Sequence, residues 1–176
     1  VEVVGEGFSP GPVRRSARVK AAGDWTTLGE FFEFLASKGI STNVASFVGA
    51  SSVRIYEMGF TDRPPSREEL NRMKGLVKQA MEEGAMGLST SLIYPPATFA
   101  STEELISLAA VASGYGGLYI THMRSEGDFI LAAIDETIRI SKEANIPAEI
   151  YHLKINLSRN WDKLDSVLAK IDSARR

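Results

Sequence analysis

The chain carries two histidines, His122 and His152, and no cysteine, so any chemistry that depends on imidazole is confined to those two positions. Each closes a short apolar run rich in Ile, Leu and Tyr: Gly117-Leu118-Tyr119-Ile120-Thr121-His122 and Pro147-Ala148-Glu149-Ile150-Tyr151-His152. Such runs read as buried strands, and the amphipathic stretch of helix formers between them completes one βαβ unit. A right-handed crossover sets consecutive parallel strands side by side, so both imidazoles are expected on the edge of the sheet where α/β folds place their sites. Two neutral imidazoles converging there supply half of a zinc site. A histidine at a strand end is by itself more often a half-buried structural residue. Two at equivalent positions of successive strands, with no others in the chain, favour shared ligation.

The elements that must position this pair alternate along the chain. Val1 to Gly5 reads as a strand feeding a turn-rich loop, Glu6-Gly7-Phe8-Ser9-Pro10-Gly11-Pro12, in which Glu6 is the carboxylate at the strand's end. Gly5-Glu6-Gly7 resembles the start of a dinucleotide fingerprint, but the third glycine falls at the wrong spacing and Pro10 and Pro12 prevent the helix that must follow. A helix is expected from about Asp24 to Lys38, with Leu28, Phe31, Phe32 and Leu35 inward and Gly39 as its stop. Ile40 to Val48 reads as a strand, followed by a short helix through Met58. A capping box of Ser66 with Glu69 opens a long helix to Glu83, with Leu70, Met73, Val77 and Met81 inward. Ala85 to Ser89 is a short strand running into Thr90-Ser91-Leu92-Ile93-Tyr94-Pro95-Pro96, a loop too long and apolar to be only a connector. Ser101 with Glu104 forms a second capping box for a helix to Ser113, and Trp161 to Ala174 forms the last helix.

This order gives five strands with helices between, which implies a parallel sheet. The longer loops follow strands rather than precede them, as in a (β/α)₈ barrel, and the nucleotide loop of a doubly wound sheet is missing. A complete barrel takes about 250 residues. The 176 residues are therefore expected to be a partial (β/α)₈ TIM barrel of five consecutive βα units, a single unit over 1–176 that is an internal fragment of a larger barrel. Val1, an apolar residue already inside a strand, fits a cut terminus.

Composition is globular, with 44% hydrophobic and 24% charged residues. A net charge of −2 argues against nucleic acid or an anionic membrane as partner, and the short basic patch from Arg14-Arg15 to Lys20 reads as a solvated loop. The absence of cysteine excludes disulfides and thiolate ligands but does not fix the compartment, and no apolar run reaches the roughly 18 residues of a membrane span; a cytoplasmic location is the default expectation. Oligomeric state is not legible.

Several segments together resemble the N-acyl-D-amino-acid deacylases (D-aminoacylases) of the amidohydrolase superfamily. They are Gly5 to Pro12, Asn43 to Gly49, Met81 to Pro96, the Thr121-His122-Met123-Arg124-Ser125-Glu126-Gly127-Asp128 run and His152-Leu153-Lys154. The stretch Gly84 to Pro96 and the His-Met-Arg-x-Glu-Gly-Asp run are specific to this branch, whereas a strand-end histidine pair alone also fits hydantoinases and dihydroorotases. The resemblance implies that Glu6, His122 and His152 hold zinc, with one or two ions in the complete protein. A carboxylate with two imidazoles is an ordinary catalytic zinc set with an open position for water. It further implies that Lys154 pairs with the α-carboxylate of a small N-acyl amino acid substrate, and that Tyr94 hydrogen-bonds near the scissile carbonyl as a catalytic and substrate-binding residue. The family's His-x-His pair and catalytic aspartate have no counterpart in these residues, and Ala50 stands where a histidine commonly follows the glycine. The implied activity is hydrolysis of the amide bond of N-acyl-D-amino acids, with the fragment inactive alone. A related amidohydrolase acting on cyclic amides or dipeptides, and a non-catalytic barrel remnant, are the alternatives.

Overall fold

The structure is a computed structural model describing residues 1–14 and 25–176. The stretch Arg15 to Lys20, read above as a solvated basic loop, lies outside the described residues. Among the described residues the order is β1 (Glu2–Val4), α1 (Leu28–Lys38), β2 (Val44–Ser46), β3 (Val48–Gly49), α2 (Ala50–Met58), α3 (Arg67–Glu82), β4 (Gly87–Ser91), α4 (Thr102–Ser113), β5 (Leu118–His122), α5 (Ile130–Glu143), β6 (Ala148–Ile150) and α6 (Leu164–Ala174).

Every pairing is parallel: β1 with β2, then β3, β4, β5 and β6 in spatial order. Phe47 is the single residue between β2 and β3. Its N–H donates to Val4 O at 3.0 Å, while the preceding Ser46 O accepts from Met86 N at 2.9 Å. One bent strand thus serves β1 on one side and β4 on the other, and the two ladders form a single curved arc of βα units, as a partial (β/α)₈ barrel requires. The arc can close up because Gly87 lacks a side chain: a Cβ there would lie 1.9 Å from Leu118 O.

Helix starts follow local capping chemistry. Ser66 and Glu69 form the expected reciprocal box at α3, and Thr27 with Glu30 forms another at α1. That second box starts α1 at Leu28 rather than at Asp24, and leaves Trp25 outside, its ring 4.9 Å from that of Phe34. At α4 the box expected of Ser101 and Glu104 is only half made. Ser101 Oγ accepts from Glu104 N at 3.2 Å, but the Glu104 carboxylate is drawn to Arg54 Nη1 at 2.6 and 2.8 Å. Both side chains are buried, so the pair outcompetes the cap. The last helix begins later than expected, at Leu164, because Ser158 to Lys163 wind as a 3₁₀ turn that leaves Trp161 exposed.

The larger apolar core packs α2, α3 and α4 against β3, β4 and β5, around Val48, Val53, Met73, Val77, Leu88, Leu105, Leu108 and Tyr119. Met123, Ile130, Ala133, Ile134 and Val167 form a smaller cluster under α5 and α6. β4 runs two residues further than the sequence suggested, taking in Thr90 and Ser91. These polar residues are tolerated inside because they bond across the sheet. Thr90 Oγ1 donates to Thr121 Oγ1 at 2.8 Å and lies 2.9 Å from the Tyr119 hydroxyl, whose pKa burial pushes up to about 12.

Candidate metal centre

Glu6 follows β1 in a loop held by two serine hydroxyls of β4 and by a backbone N–H of α2. Ser89 Oγ accepts from Gly7 N at 2.9 Å and donates to Gly5 O, so a side chain of β4 grips both peptide groups that flank Glu6. Ser91 Oγ reaches Glu6 O at 3.4 Å, and Ser51 N donates to Gly7 O at 3.1 Å. Gly7 has φ +71°, and a Cβ there would lie 2.4 Å from Ser91 Oγ, so glycine is needed for conformation and for space.

His122 is the last residue of β5, in register with Ser91 of β4. Its side chain is 9% exposed, and burial pulls the imidazole pKa below its usual value, which keeps the ring neutral. His152 lies two residues past β6. Tyr151 N donates to Thr121 O at 3.0 Å, which continues the ladder, and His152 then turns with φ +33°. This is an unfavourable region for a histidine, and it swings the ring over the end of β5 instead of along the strand. The two imidazole centroids are 4.6 Å apart at 78°.

Three residues expected to share a metal are brought together at the C-terminal edge of the sheet. One donor atom each from Glu6, His122 and His152 lies within 4.8 Å of the others. Glu6 Oε1 stands 3.6 Å from His122 Nδ1 and 3.2 Å from His152 Nε2. One carboxylate with two imidazoles is a set that replaces the hydration waters of zinc, and the two separations from Glu6 match those that donors adopt around a bound zinc ion. The residues fit the group.

Tyr94 is on the loop after β4, half exposed, with its ring 5.7 Å from that of His122 and edge-on to it. Arg124 braces this loop: its guanidinium donates to Thr98 O and Ala100 O at 3.0 Å and pairs with Glu136 of α5 at 2.9 Å. Lys154 is at the site, but it does not stand free. Its ammonium contacts Glu126 and lies 3.1 Å from His152 Nδ1. Glu126 is the residue that reading the sequence missed. Its side chain is 10% exposed, and Oε1 stands 3.5 Å from His122 Nε2 and 3.2 Å from His152 Nδ1. The available signal was the four-residue step from His122 to Glu126 beyond a strand end.

No protein-family model matches the chain. It is 38% identical over 145 residues to a D-aminoacylase from Alcaligenes xylosoxydans xylosoxydans, covering 82% of this chain and 30% of that protein. A crystal structure of D-aminoacylase superposes with a TM-score of 0.90 at 32% identity, over 98% of this chain and 38% of that one. A structure of N-acyl-D-glutamate deacylase from Bordetella bronchiseptica, complexed with zinc and a phosphonate inhibitor that mimics the tetrahedral intermediate, superposes with a TM-score of 0.87 at 30% identity, over 98% of this chain and 38% of that one. The chain spans 30–35% of the length of the curated relatives it matches.

Proposed function

Because the chain belongs to the N-acyl-D-amino-acid deacylase family of the amidohydrolases, we propose that residues 1–176 form one unit of a larger barrel and supply the zinc-holding part of a centre that hydrolyses the amide bond of N-acyl-D-amino acids. The observation that carries this reading is the convergence of Glu6, His122 and His152 donor atoms within 4.8 Å at the C-terminal edge of the arc. The zinc named for the Bordetella bronchiseptica relative supports the choice of metal.

Zinc bound by Glu6, His122 and His152 would polarise the scissile carbonyl and raise the acidity of water at neutral pH. The protein's own groups do the rest. Neutral His122, dry on one side, offers a lone pair without having to lose a proton. Ser89 and Ser91 hold the Glu6 loop so that its carboxylate meets the imidazoles without reordering. On the same reading Tyr94, whose half-exposed ring stands 5.7 Å from that of His122, donates its hydroxyl to the carbonyl oxygen. Lys154 is the cation for the substrate's α-carboxylate, which must compete with Glu126 for it. The partner is a small N-acyl amino acid, with neither nucleic acid nor membrane involved. Among the described residues no helix is long and apolar enough to cross a membrane. A cytoplasmic location belongs to the same proposal as its default.

Calorimetric zinc titration of the chain, its His122→Ala and His152→Ala variants, and an N-acetyl-D-amino-acid deacylation assay test the reading. Zinc is expected to bind the chain, to bind each variant far more weakly, and to be released as the pH falls below the imidazole pKa of about 6.5. The 176 residues alone are expected to bind without turnover, and deacylation is expected once they are joined to the rest of a relative's barrel. Zinc affinity indifferent to both histidines ends the metal-site reading, and a metal-replete, full-length barrel without deacylase activity ends the assignment of the reaction.

A further inference from the structure

The two imidazoles are flanked by carboxylates on opposite sides. Glu6 Oε1 faces His122 Nδ1 and His152 Nε2, and Glu126 Oε1 faces the other nitrogen of each ring, His122 Nε2 and His152 Nδ1. The two sides are not equivalent. On the Glu126 side the carboxylate is nearly buried and is neutralised by the Lys154 ammonium, which would repel a metal ion. The Glu6 carboxylate is 45% exposed, and among the described residues it meets no lysine or arginine. A cation is therefore expected on the Glu6 side. There is a second mark of the back side: His122 Nε2 is buried and has no hydrogen-bond partner among the described residues, although Glu126 stands within 3.5 Å of it. A buried N–H left in that state is costly, and a small tilt of either side chain would close the bond.

Resting on the metal reading above, we propose that Glu126 is a positioning residue behind both rings: it holds His122 in the Nε2–H tautomer with or without metal, and it stands ready to accept Nδ1–H from His152 once Nε2 is given to a metal. His122 carries its proton on Nε2 and offers Nδ1 to the metal; His152, when metal is bound, carries its proton on Nδ1 and offers Nε2. An imidazole that ligates through one nitrogen needs an acceptor for the other, and the acceptor fixes both tautomer and ring orientation. One carboxylate serves two rings here because β5 and the turn after β6 bring His122 Nε2 and His152 Nδ1 to the same oxygen. Lys154 takes part by donating to that carboxylate. Its approach to His152 Nδ1, at 3.1 Å, requires the proton to be on His152 Nε2, bonded to Glu6. With a metal held at Nε2 the His152 proton would stand on Nδ1 instead, and Glu126 would accept from it beside the Lys154 ammonium.

The two histidines are the only imidazoles in the chain, so nitrogen-15 ring spectra show two spin systems, and the set lost in His152→Ala assigns them. Wild-type protein and Glu126→Gln are compared at mildly alkaline pH, metal-free and with zinc, alongside calorimetric zinc affinity. In the wild type, His122 is expected to be protonated at Nε2 with or without zinc, and zinc-loaded His152 at Nδ1. In Glu126→Gln the zinc affinity is expected to fall by about 10–100-fold, and the metal-free His122 ring is expected to become a tautomer mixture. If that variant loses its dispersed amide spectrum, Glu126→Asp is measured in its place, since it keeps the charge but withdraws the oxygen by one methylene. The same protonated nitrogen on both zinc-loaded rings, or a folded variant with unchanged affinity and tautomers, overturns the proposal. Failure of wild-type protein to bind zinc overturns the metal reading and the His152 half of the proposal, while the metal-free His122 tautomer still decides whether Glu126 sets that ring.

Discussion

At the scale of single residues, His122 joins the site to the stability of the fold. Burial is the largest influence on its imidazole and lowers the pKa, with His152 and Lys154 acting in the same direction and Glu126 and Glu6 opposing. The unfolded chain therefore takes up a proton at His122 near pH 6.5, while the folded chain does so only at lower pH. Stability from this group is fully present above the unfolded pKa and is lost as the pH falls through it toward the lowered folded value. With a chelator present, the urea midpoint is expected to fall between about pH 7.5 and 5.5, and the fall to shrink in His122→Asn. A midpoint that rises on acidification would show that the neighbouring carboxylates, not burial, govern the ring. The histidine pair was legible from residue type and from its places at strand ends, and Glu6 from the resemblance to the deacylases. Glu126 was not, because its importance depends on a loop that folds back beside its own strand, a contact with no periodic signature.

At the scale of elements, the Arg54–Glu104 pair decides how α2 and α4 meet. Arg54 is 1% exposed; besides Glu104 it donates to Thr61 O and Arg63 O, so it ties the middle of α2, the segment after it and the start of α4 together. Burial pushes the Glu104 carboxyl pKa up, and the guanidinium works against that push. Removing one partner leaves the other buried and uncompensated. Arg54→Ala is expected to cost about 3–5 kcal/mol in equilibrium denaturation, whereas Arg54→Met together with Glu104→Leu is expected to recover most of the loss. A cost below about 1 kcal/mol for the single change, a value ordinary for exposed pairs, would mean that water reaches the site. Sequence patterning found every one of these helices and the Ser66 box, but it assigned Glu104 to a cap. Local capping chemistry and a long-range ion pair compete for the same side chain, and only packing settles which wins.

At the scale of the whole molecule, the arc has two free ladders of backbone groups. Among the described residues β1 pairs only with β2, and β6 only with β5. Val1 and Val3 are exposed at one end. Along the other, a groove of about 350 Å³ lined by Ile134, Ile138, Pro147, Ile150 and Ile171 lies open between α5, α6 and β6. Unpaired strand edges beside exposed apolar surface template association. Sedimentation velocity over a concentration series is expected to show these 176 residues associating, with Lys or Glu at Val3 reducing the effect. A monodisperse monomer with a sharp cooperative melt would show that the arc is satisfied as it stands.

The alternation of strand and helix, the parallel sheet and the barrel arc were determined by the sequence alone, because hydrophobic period and capping residues act over a few neighbours and leave their mark locally. So was the reach of the site: residues of the right chemistry stood at the ends of three strands. What the tertiary structure decided was where strands bend and which groups meet. The split at Phe47 follows from one strand bonding to two neighbours, the inclusion of Thr90 and Ser91 in β4 from hydrogen bonds to β5, and the swing of His152 from a positive φ after β6. Each depends on contacts between segments far apart in the chain. The same holds for the division of labour between two glutamates, one facing the metal side and one facing the back of both rings, since residue type cannot tell them apart and only their positions do.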